Sequence, residues 1–546
     1  MYEVIFKTEG GEDVKVFAAG GENVLELARK ADVFIDAACS GNGTCGKCRV
    51  KLLGNSDNND EWQLACQLTI TVDTTLFVPD SAHSYIKNIS IDILGQGDGS
   101  TVLSNNSTFG LAIDIGTTTV SALLVDMSPG DILAKATTGN AQIRYGADVI
   151  NRIIQQQKPG GIKIMQDAIV KDTLLPLIDN LCTSTGINPE NITRLTVAAN
   201  TTMNHLLLGV DANSIRIEPY EPAFLEFEPY DPSSIGIHVA PDALMYIAPN
   251  IGSYVGGDIT AGITAAVTPS ERSLWKQTEM NLLIDLGTNG EIVFGDGEFL
   301  MACACSAGPA FEGGDISCGM RATDGAIEAF TIDKDTMTPK LTVIGGGKPI
   351  GLCGSGLIDV VAELFRTGII NSKGKFNTSP GHPEAPEDLK IRFDEYGTGR
   401  YILAHAENTA TNKEITISEV DIDNFIRAKG AIFSGIMSLL EPLGFIPADI
   451  DNVLIAGGIG SGINIKNAIS IGMLPDLPPE KYNYIGNSSL TGAYMMLTVP
   501  QGDEVINNIT KNMTYIDLST QPDYMTQFIA ACFLPHTDET LFPSVN

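Results

Sequence analysis

The sequence predicts a multidomain chain of mixed α+β and α/β class, and three observations support that prediction. The chain has 546 residues, which is more than one hydrophobic core usually supports. Four of its ten cysteines fall within the first 66 positions, among short runs that alternate apolar and polar residues as strands do. A strand-turn-strand motif occurs twice, about 170 residues apart, which indicates an internal duplication.

The charge balance limits the classes of partner. With 66 acidic and 34 basic residues the formal net charge is −32, and the isoelectric point is near 4.4. Such a chain repels nucleic acid and anionic membranes, and its charge serves solubility or the docking of a basic partner. The amino terminus alternates like a strand, and no apolar run reaches the roughly 18 uncharged residues of a membrane helix. We therefore expect a cytoplasmic protein.

Residues 1–94 form the first predicted domain. The apolar pattern predicts strands over 2–6 and 14–17, a short helix over 24–31, and further strands over 49–53 and 68–78. The cysteine-rich loop AACSGNGTCGKCRV (37–50) lies between the helix and the third strand.

The four early cysteines, Cys39, Cys45, Cys48 and Cys66, have the spacing C-x5-C-x2-C-x17-C. Plant-type [2Fe–2S] ferredoxins use C-x4-C-x2-C with a distant fourth cysteine, so this loop is one residue longer and resembles the adrenodoxin-like branch of that β-grasp fold. The loop glycines let the backbone wrap a cluster and turn N–H groups toward its sulfurs. Zinc or disulfides are the alternatives, although a zinc site normally pairs two C-x2–4-C knuckles. Four cysteine ligands leave no open position, so we expect electron transfer.

Residues 95–108, GQGDGSTVLSNNST, are rich in Gly, Ser, Asn and Thr and lack apolar periodicity. They predict a flexible linker with a root-mean-square span of roughly 20 Å. A cluster-bearing domain on such a linker is able to move relative to the rest of the chain.

The duplicated motif predicts two phosphate-binding turns. FGLAIDIGTTTVSALLVD (109–126) reads as a buried strand, a turn that begins at Asp114, and a second strand from Val120. NLLIDLGTNGEIVFGD (281–296) repeats this pattern with Asp285. Glycine and hydroxyl residues offer donors to phosphates, while the aspartates hold Mg²⁺ through water or orient an attacking water. A tight hairpin explains one such motif, whereas two in order favour nucleotide chemistry.

A third element, NVLIAGGIGSG (452–462), is a buried strand that runs into Gly457 and Gly458. Paired glycines let the backbone lie against a flat base or ribose, and an ordinary strand-to-helix turn is the alternative. Helices rich in small residues are predicted over 255–266 and 490–497.

In this arrangement the chain resembles the actin, sugar-kinase and heat-shock ATPase superfamily. The resemblance implies two ribonuclease-H-like lobes that close over ATP and Mg²⁺, at 109–265 and 266–546, the second with a polar surface insertion at about 371–414. Ser418 to Asp421 gives a capping box for a long helix that ends near Glu441. With Asp114 and Asp285 as the catalytic aspartates, the matching nucleotide-binding positions are Gly116, Thr117, Thr118, Asp258, Gly287, Thr288, Asn289, Gly457 and Gly458.

A [2Fe–2S] ferredoxin domain fused to an actin-like ATPase resembles the reductive activators of corrinoid-dependent methyltransferases over almost the whole chain. The resemblance implies ATP-dependent electron transfer to an inactive Co(II) corrinoid on a partner protein, which restores Co(I). It also implies a low-potential electron donor, which the sequence does not identify, and a homodimer. Four further stretches look like this family: CACSAGPAFEGGDISCGMRA (303–322), GLCGSGLIDVVAELF (351–365), AANTTMNHLLLG (198–209) and IRAKGAIFSGIMSLLE (426–441).

The loop after the second phosphate strands holds a third candidate catalytic residue. Ser306, within CACSAG, would present a hydroxyl near the partner's cobalt. Nearby Cys303, Cys305 and Cys318 are interpreted as buried thiols that pack as small hydrophobic groups, and the alternative is a second metal site.

Two other polar residues are interpreted as structural. His205 in MNHLLLG lacks the aspartate of the corrinoid lower-ligand motif, because Met203 stands in its place, so it is expected to be a packed helix residue. Ser355 in CGSG is expected to be a turn or cap residue, because no histidine lies near it in the sequence.

Three rival functions stay open. The first is a small-molecule kinase with a redox-regulatory ferredoxin domain, which ADP formation without reduction of a partner would favour. The second is an activator of radical acyl-CoA dehydratases, a class that holds a [4Fe–4S] cluster between two subunits. The third is a non-enzymatic actin-like scaffold with an electron-transfer domain, which filament assays would detect.

Overall fold

The computed structural model divides the chain into two compact units. The first unit contains Met1–Ala261 and Ser489–Thr510, and the second contains Gly262–Ser488 and Lys511–Asn546. The described residues are 1–8, 13–31, 33–35, 37, 41, 43, 48–53, 62–79, 90–93, 108–128, 130–267, 275–377, 391–394, 397–459 and 462–545. Cys39, Cys45 and all of the predicted linker except residue 108 lie outside these ranges.

The first unit begins with a small sheet and one helix. Its strands are β1 (Tyr2–Thr8), β2 (Val14–Ala18), β3 (Arg49–Leu53), β4 (Trp62–Leu64) and β5 (Thr74–Val78), and its helix is α1 (Val24–Lys30). The strand order is β2-β1-β5-β3-β4. β1 and β5 are parallel at the centre, and the other pairs are antiparallel. This is the β-grasp arrangement that the sequence predicted.

Helix α1 begins at a polar cap and buries one face. The Asn23 side chain accepts hydrogen bonds from the N–H groups of Leu25 and Glu26, which otherwise have no partner at a helix start. Arg29 and Lys30 stand in the last turn, where positive charge complements the helix dipole. Val24, Leu25, Leu27 and Ala28 are buried against the sheet in one hydrophobic cluster.

The predicted strand over 68–78 is too long at its start, because β5 begins only at Thr74. The N–H of Ile70 donates to the carbonyl of Glu22, and the carbonyl of Leu68 accepts from the N–H of Val24. These residues therefore bind the turn before α1 and do not join the sheet.

The rest of the first unit is built on a six-stranded sheet with the order β11-β10-β7-β8-β9-β6. Its strands are β6 (Ser90–Ile93), β7 (Phe109–Ile115), β8 (Thr119–Asp126), β9 (Asp131–Gly139), β10 (Ile192–Ala199) and β11 (Leu244–Ile247). The helices that follow along the chain are α2 (Val149–Gln156), α3 (Gly161–Ile169), α4 (Leu175–Thr185), α5 (Thr201–Leu208) and α6 (Gly257–Val267). β6 pairs with β9, so residues 90–93, at the end of the first predicted domain (1–94), join this sheet.

The second unit contains a matching six-stranded sheet with the order β22-β21-β12-β13-β14-β23. Its first strands are β12 (Asn281–Leu286), β13 (Gly290–Gly295), β14 (Leu300–Cys305), β15 (Ala326–Ile332), β16 (Pro339–Val343) and β17 (Gly351–Leu352). The later strands are β18 (Arg392–Phe393), β19 (Gly399–Ala404), β20 (Ile415–Ser418), β21 (Asn452–Ala456), β22 (Tyr482–Gly486) and β23 (Met513–Tyr515). The remaining helices of the chain are α7 (Gly354–Arg366), α8 (Glu419–Leu440), α9 (Ile465–Ser470), α10 (Ser488–Thr498), α11 (Gly502–Lys511) and α12 (Tyr524–Ala531).

The two large sheets share one topology, which confirms the predicted duplication. In each, the first strand forms an antiparallel meander with the next two strands. In each, a fourth strand lies parallel on the other side of the first, and a fifth lies parallel to the fourth. Only the sixth strand differs, since β6 is antiparallel to β9 and β23 is parallel to β14. This order is that of ribonuclease-H-like lobes.

The predicted helices are present with small shifts of their ends. α6 begins two residues later than the prediction over 255–266, and α10 covers that over 490–497. α8 begins at the capping box of Ser418 and Asp421. None of the helices in the described ranges combines the length and the apolar character that crossing a membrane requires.

The predicted surface insertion at 371–414 is only partly a surface feature. Residues 378–390 and 395–396 lie outside the described ranges. β18, β19 and β20 form a three-stranded antiparallel sheet, and Tyr401, Leu403 and Ala404 on β19 belong to the main hydrophobic core of the second unit. The sequence pattern did not identify the short apolar run YILA as a strand, because the residues around it are polar.

The capping box of α8 yields a stability prediction. The buried Asp421 carboxylate accepts from the N–H and Oγ of both Ser418 and Ser317, at 2.6–2.9 Å. We expect Asp421→Ala to lower the free energy of unfolding by about 2–3 kcal/mol, because four donors lose their acceptor. Ser418→Ala should cost only about 1 kcal/mol. Thermal unfolding of the two variants measures the difference.

The matched control is Asp423→Ala on the same helix. Asp423 forms an exposed ion pair with Arg427 at 2.7 Å, and such surface pairs contribute about 0–1 kcal/mol. Equal losses for Asp421→Ala and Asp423→Ala would contradict the anchoring role of Asp421.

Candidate functional sites

Two of the four patterned cysteines are described, and the β-grasp sheet brings them together. Cys48 directly precedes β3 and Cys66 follows β4, and the two strands are antiparallel. The N–H of Ala65 donates to the carbonyl of Cys48 at 2.7 Å. The Asn23 side chain donates to the carbonyl of Cys66 at 2.9 Å. The cap of α1 therefore also fixes the backbone of the distant cysteine.

The glycines of the cysteine loop are required by its conformation. Gly41 and Gly43 have φ values of +90° and +76°, which favour glycine. A Cβ on Gly41 would lie 3.7 Å from the Cβ of Cys66, so Gly41 lies beside that cysteine. The paired cysteines and the close approach at Gly41 fit a cluster held by thiolates from both the loop and the strand end.

The first phosphate turn follows β7 in the first unit. Asp114 is the sixth residue of β7 and is partly buried. The N–H of Gly116 donates to the carbonyl of Thr119 at 2.9 Å, and a Cβ on Gly116 would lie 2.7 Å from that carbonyl oxygen. The Thr117 side chain accepts from the Asn200 amide at 3.1 Å. A tight turn with a glycine at its closest approach is therefore present where the sequence predicted it.

The second phosphate turn follows β12 in the second unit and closes differently, because its glycine N–H bonds a carbonyl two residues ahead and not three. The N–H of Gly287 donates to the carbonyl of Asn289 at 3.0 Å. The Thr288 hydroxyl donates to the Glu312 carboxylate at 3.1 Å. Glu312 was not a candidate in the sequence, because it lies 24 residues from Thr288 and carries no motif.

The glycine pair after β21 lies beside this second turn. β12 and β21 are parallel, with Asp285 level with Ala456. Gly457 has φ +92°, and a Cβ there would lie 2.3 Å from the carbonyl oxygen of Leu286 and 2.8 Å from Oδ1 of Asp285. Packing against the aspartate turn therefore accounts for Gly457. A Cβ on Gly458 would meet open space, so packing does not account for that glycine.

Asp258 stands in the first turn of α6. Its Oδ1 accepts from the N–H of Ile259 at 2.9 Å, and its backbone carbonyl accepts from the Ser489 hydroxyl at 3.1 Å. Burial disfavours the ionised form and raises the pKa of Asp258 to about 6.

Ser306 and its cysteine neighbours differ in exposure. Ser306 directly follows β14 and is exposed. Cys303 and Cys305 are buried in the core of the second unit, and burial raises the pKa of both thiols. The Cys305 thiol donates to the carbonyl of Gly290 at 3.1 Å. The interpretation as buried packing thiols is confirmed for these two, while Cys318 is partly buried.

The expectation for His205 is confirmed, whereas Ser355 lies in the first turn of α7 and does not cap that helix. His205 is fully buried in α5 and stacks on Phe224 with ring centroids 4.1 Å apart. Its Nδ1 bonds the carbonyl of Thr201 at 2.7 Å, and its Nε2 accepts from the N–H of Ala223 at 3.1 Å. The Ser355 hydroxyl donates to the carbonyl of Glu328 at 3.0 Å.

Three residues around the first phosphate turn were missed in the sequence. The Asn140 side chain donates to the carbonyl of Gly116, and that of Arg152 donates to the carbonyl of Thr117. The Asn200 side chain donates to the hydroxyl of Thr117. Only Asn200 carried a signal, because an asparagine between a buried strand and a helical run is a typical N-cap, and its side chain does cap α5.

Comparison with known families gives matches along most of the chain. The model described as "RACo middle region" matches residues 109–268, and "C-terminal domain of RACo the ASKHA domain" matches 279–546. Residues 7–71 match the "2Fe-2S iron-sulfur cluster binding domain".

Similar proteins and structures agree with these matches. "Corrinoid activation enzyme RamQ" of Eubacterium limosum is 31% identical over 422 residues, 77% of this chain and 69% of that protein. "[Co(II) methylated amine-specific corrinoid protein] reductase" of Methanosarcina barkeri is 22% identical over 436 residues, 74% of this chain and 73% of that protein. The solved structure of a "Reductive activator for corrinoid,iron-sulfur protein" covers 100% of both chains at 35% identity and a TM-score of 0.71.

Asp258 yields a prediction about pH dependence. Its folded-state pKa of about 6 lies above the ordinary value of 3.8, so the folded protein binds this proton more tightly than the unfolded chain does. The stability from this group is complete below about pH 4 and is lost as the pH rises to about 6. We therefore expect Asp258→Asn to raise the melting temperature of the nucleotide-free protein more at pH 7.5 than at pH 4.5.

The control for this experiment is Asp231→Asn. Asp231 accepts from the N–H of Ser233 in an exposed turn of the same unit. A melting difference for Asp258→Asn that does not change between the two pH values would contradict the raised pKa.

Proposed function

The chain belongs to the family of reductive activators of corrinoid proteins. On that premise we propose which domain carries the electron and which binds ATP. It is an ATP-dependent activase that passes a low-potential electron to an inactive Co(II) corrinoid on a partner protein and so restores Co(I) for methyl transfer. The observation that carries the proposal is the union, in one chain, of a cysteine-bearing β-grasp sheet with two ribonuclease-H-like sheets.

The β-grasp domain is proposed to hold the electron carrier. Cys39, Cys45, Cys48 and Cys66 would bind a [2Fe–2S] cluster, which when bound supplies one electron at a potential near −400 mV. The hydrogen bond from Asn23 to the Cys66 carbonyl and the position of Gly41 beside Cys66 support this ligand set.

The energetics explain why an ATPase belongs on the same chain. Reduction of a Co(II) corrinoid requires a more negative potential than a plant-type cluster provides, so electron transfer alone runs uphill. For one electron about 59 mV corresponds to a factor of ten, or about 1.4 kcal/mol. A step of a few hundred millivolts therefore needs several such factors, which nucleotide-driven conformational change is able to supply.

The two phosphate turns are proposed to bind ATP and Mg²⁺. Their backbone and hydroxyl donors would contact the phosphates, while Asp114 and Asp285 hold Mg²⁺ through water or orient the attacking water. Asp258 in the first unit and the glycine pair at 457–458 in the second unit are also proposed as nucleotide-binding positions. The donor residues of the two turns are Gly116, Thr117, Thr118, Gly287, Thr288 and Asn289.

The partners and setting are also proposals. The corrinoid would be carried by the partner, Ser306 would present its hydroxyl toward the cobalt, and an unidentified low-potential donor would reload the cluster. A homodimer follows from the family resemblance alone. Action in the cytoplasm, where thiols stay reduced, is supported by the free cysteines outside the pattern, which are Cys182, Cys303, Cys305, Cys318, Cys353 and Cys532.

The proposal predicts two separable losses. In anaerobic visible spectroscopy with a Co(II) corrinoid protein, a reductant and ATP-Mg, the Co(I) band should grow only when this chain and ATP are both present. Cys66→Ser should remove the cluster absorbance and the Co(I) band but leave ATP binding. Asp285→Asn should keep the cluster absorbance and reduce the rate of Co(I) formation by about 100-fold or more.

Cys532→Ser is the matched control for the cysteine variant. Cys532 is a partly buried free thiol outside the pattern, and its substitution should preserve both the cluster and the reaction. ATP consumption while several corrinoid partners remain Co(II) would instead favour the small-molecule kinase.

Ser306 gives a separate prediction about the partner. Ser306→Ala should slow the appearance of the Co(I) band several-fold, because the proposal places this hydroxyl where the partner docks. The visible spectrum of the bound cluster should stay the same, because Ser306 is not one of the proposed cluster ligands. Ser519→Ala, at another exposed serine of the second unit, is the control. Equal rates for the two variants would remove Ser306 from the reaction.

A further inference from the structure

Arg152 on α2 is a fully buried cation for which the proposed function gives no role. Its guanidinium reaches three oxygens in different directions. Nε donates to the carbonyl of Gly146 at 2.9 Å, Nη1 donates to Oε1 of Gln142 at 3.2 Å, and Nη2 donates to the carbonyl of Thr117. Burial of a charged side chain is costly, so we expect the position of this charge to serve a specific contact.

One of these oxygens belongs to the first phosphate turn. The carbonyl of Thr117 accepts from Arg152, and the carbonyls on either side of it accept from Asn140. The Asn140 side chain donates to the carbonyl of Gly116 at 3.0 Å, and its backbone N–H donates to that of Thr118 at 2.9 Å. Three consecutive carbonyls of the turn are therefore held by two residues.

The geometry of the peptide group gives this arrangement a consequence. In a planar trans peptide the C=O and the following N–H point in opposite directions. When Asn140 and Arg152 hold the carbonyls of residues 116–118, the N–H groups of residues 117–119 are directed away from the donors of these two residues. Backbone N–H groups fixed on one side of a turn, with a positive charge behind them, form an anion-binding concavity.

We propose that Arg152 is the positioning residue of the first phosphate turn. It locks the Thr117 peptide plane so that the turn presents its N–H groups to a nucleotide phosphate, and its buried charge favours the anion without touching it. This inference rests on the proposed function, because it assumes that residues 116–118 bind ATP phosphates.

A general structural role makes a different prediction. If Arg152 merely joins α2 to the neighbouring loop, its loss should lower stability and leave the affinity of the folded protein for ATP unchanged. If it positions the turn, its loss should raise the Kd and KM for ATP while kcat at saturating ATP changes little, since bound phosphate re-forms the turn.

The experiment compares Arg152→Met and Arg152→Lys with Lys429→Met. Lys429 is another fully buried basic side chain, whose pKa burial lowers to about 7, and its Nζ donates to the backbone carbonyls of Phe533 and Pro535 in the second unit. Its removal is a similar loss of a buried donor to carbonyls, away from the phosphate turn. The Kd for ATP-Mg is measured by calorimetry on the cluster-loaded chain, together with its visible spectrum and melting temperature.

We expect Arg152→Met to raise the Kd for ATP-Mg about 10- to 100-fold, which corresponds to about 1.4–2.8 kcal/mol. Arg152→Lys should give an intermediate value, because lysine keeps the charge but its single nitrogen does not match the three directions of the guanidinium. Lys429→Met should change the Kd less than twofold, and all three variants should keep the cluster spectrum.

Two outcomes overturn the inference and differ in what they mean. If the wild-type chain binds ATP-Mg and folded Arg152→Met binds it equally well, the positioning role is wrong and the proposed function stands. If Arg152→Met does not fold, an unchanged Kd for Arg152→Lys has the same meaning. If the wild-type chain binds no ATP-Mg at all, the proposed nucleotide site fails and this inference fails with it.

Discussion

The two large sheets depend on one constraint, which is that the first strand of each is hydrogen-bonded along both edges. β7 pairs antiparallel with β8 and parallel with β10, and β12 pairs in the same way with β13 and β21. A strand enclosed in this way is apolar along its length, and β7 and β12 are each buried except at their aspartate. The parallel neighbour ends at the same level, with Ala198 beside Asp114 and Ala456 beside Asp285. Each turn therefore leaves its sheet at an end where backbone donors are able to meet a ligand.

The functional loops are held by side chains that donate to their carbonyls. Asn23 donates to the carbonyl of Cys66 beside the cysteine loop, while Asn140 and Arg152 donate to the carbonyls of the first phosphate turn. A buried carbonyl without a donor would be costly, so these contacts stabilise one loop conformation. In the first phosphate turn they direct the N–H groups of residues 117–119 away from Asn140 and Arg152.

Contacts from the cysteine domain and from the phosphate turn meet on one short helix of the first unit, Ala141–Arg144. Arg29, in the last turn of α1, donates from Nε to the carbonyl of Arg144 at 3.1 Å, and its guanidinium lies 5.6 Å from the ring centre of Tyr145. Gln142 of the same short helix accepts from Arg152. The short helix therefore contacts both the cysteine-bearing domain and the residue that holds the first phosphate turn.

The sequence alone determined the features that are local or periodic. The cysteine spacing, the repeated strand-turn-strand motif and the capping box of α8 each occupy a few neighbouring residues, so they predicted the β-grasp domain, the duplicated lobes and the family. Tertiary structure decided the contacts between residues that are far apart in the sequence. Arg152 reaches Thr117 across 35 positions, Gly457 is explained by Leu286 and Asp285, and β6 joins the second sheet through β9. Local spacing does not encode such contacts, because they form only when separate elements pack and each buried polar group must find its partner.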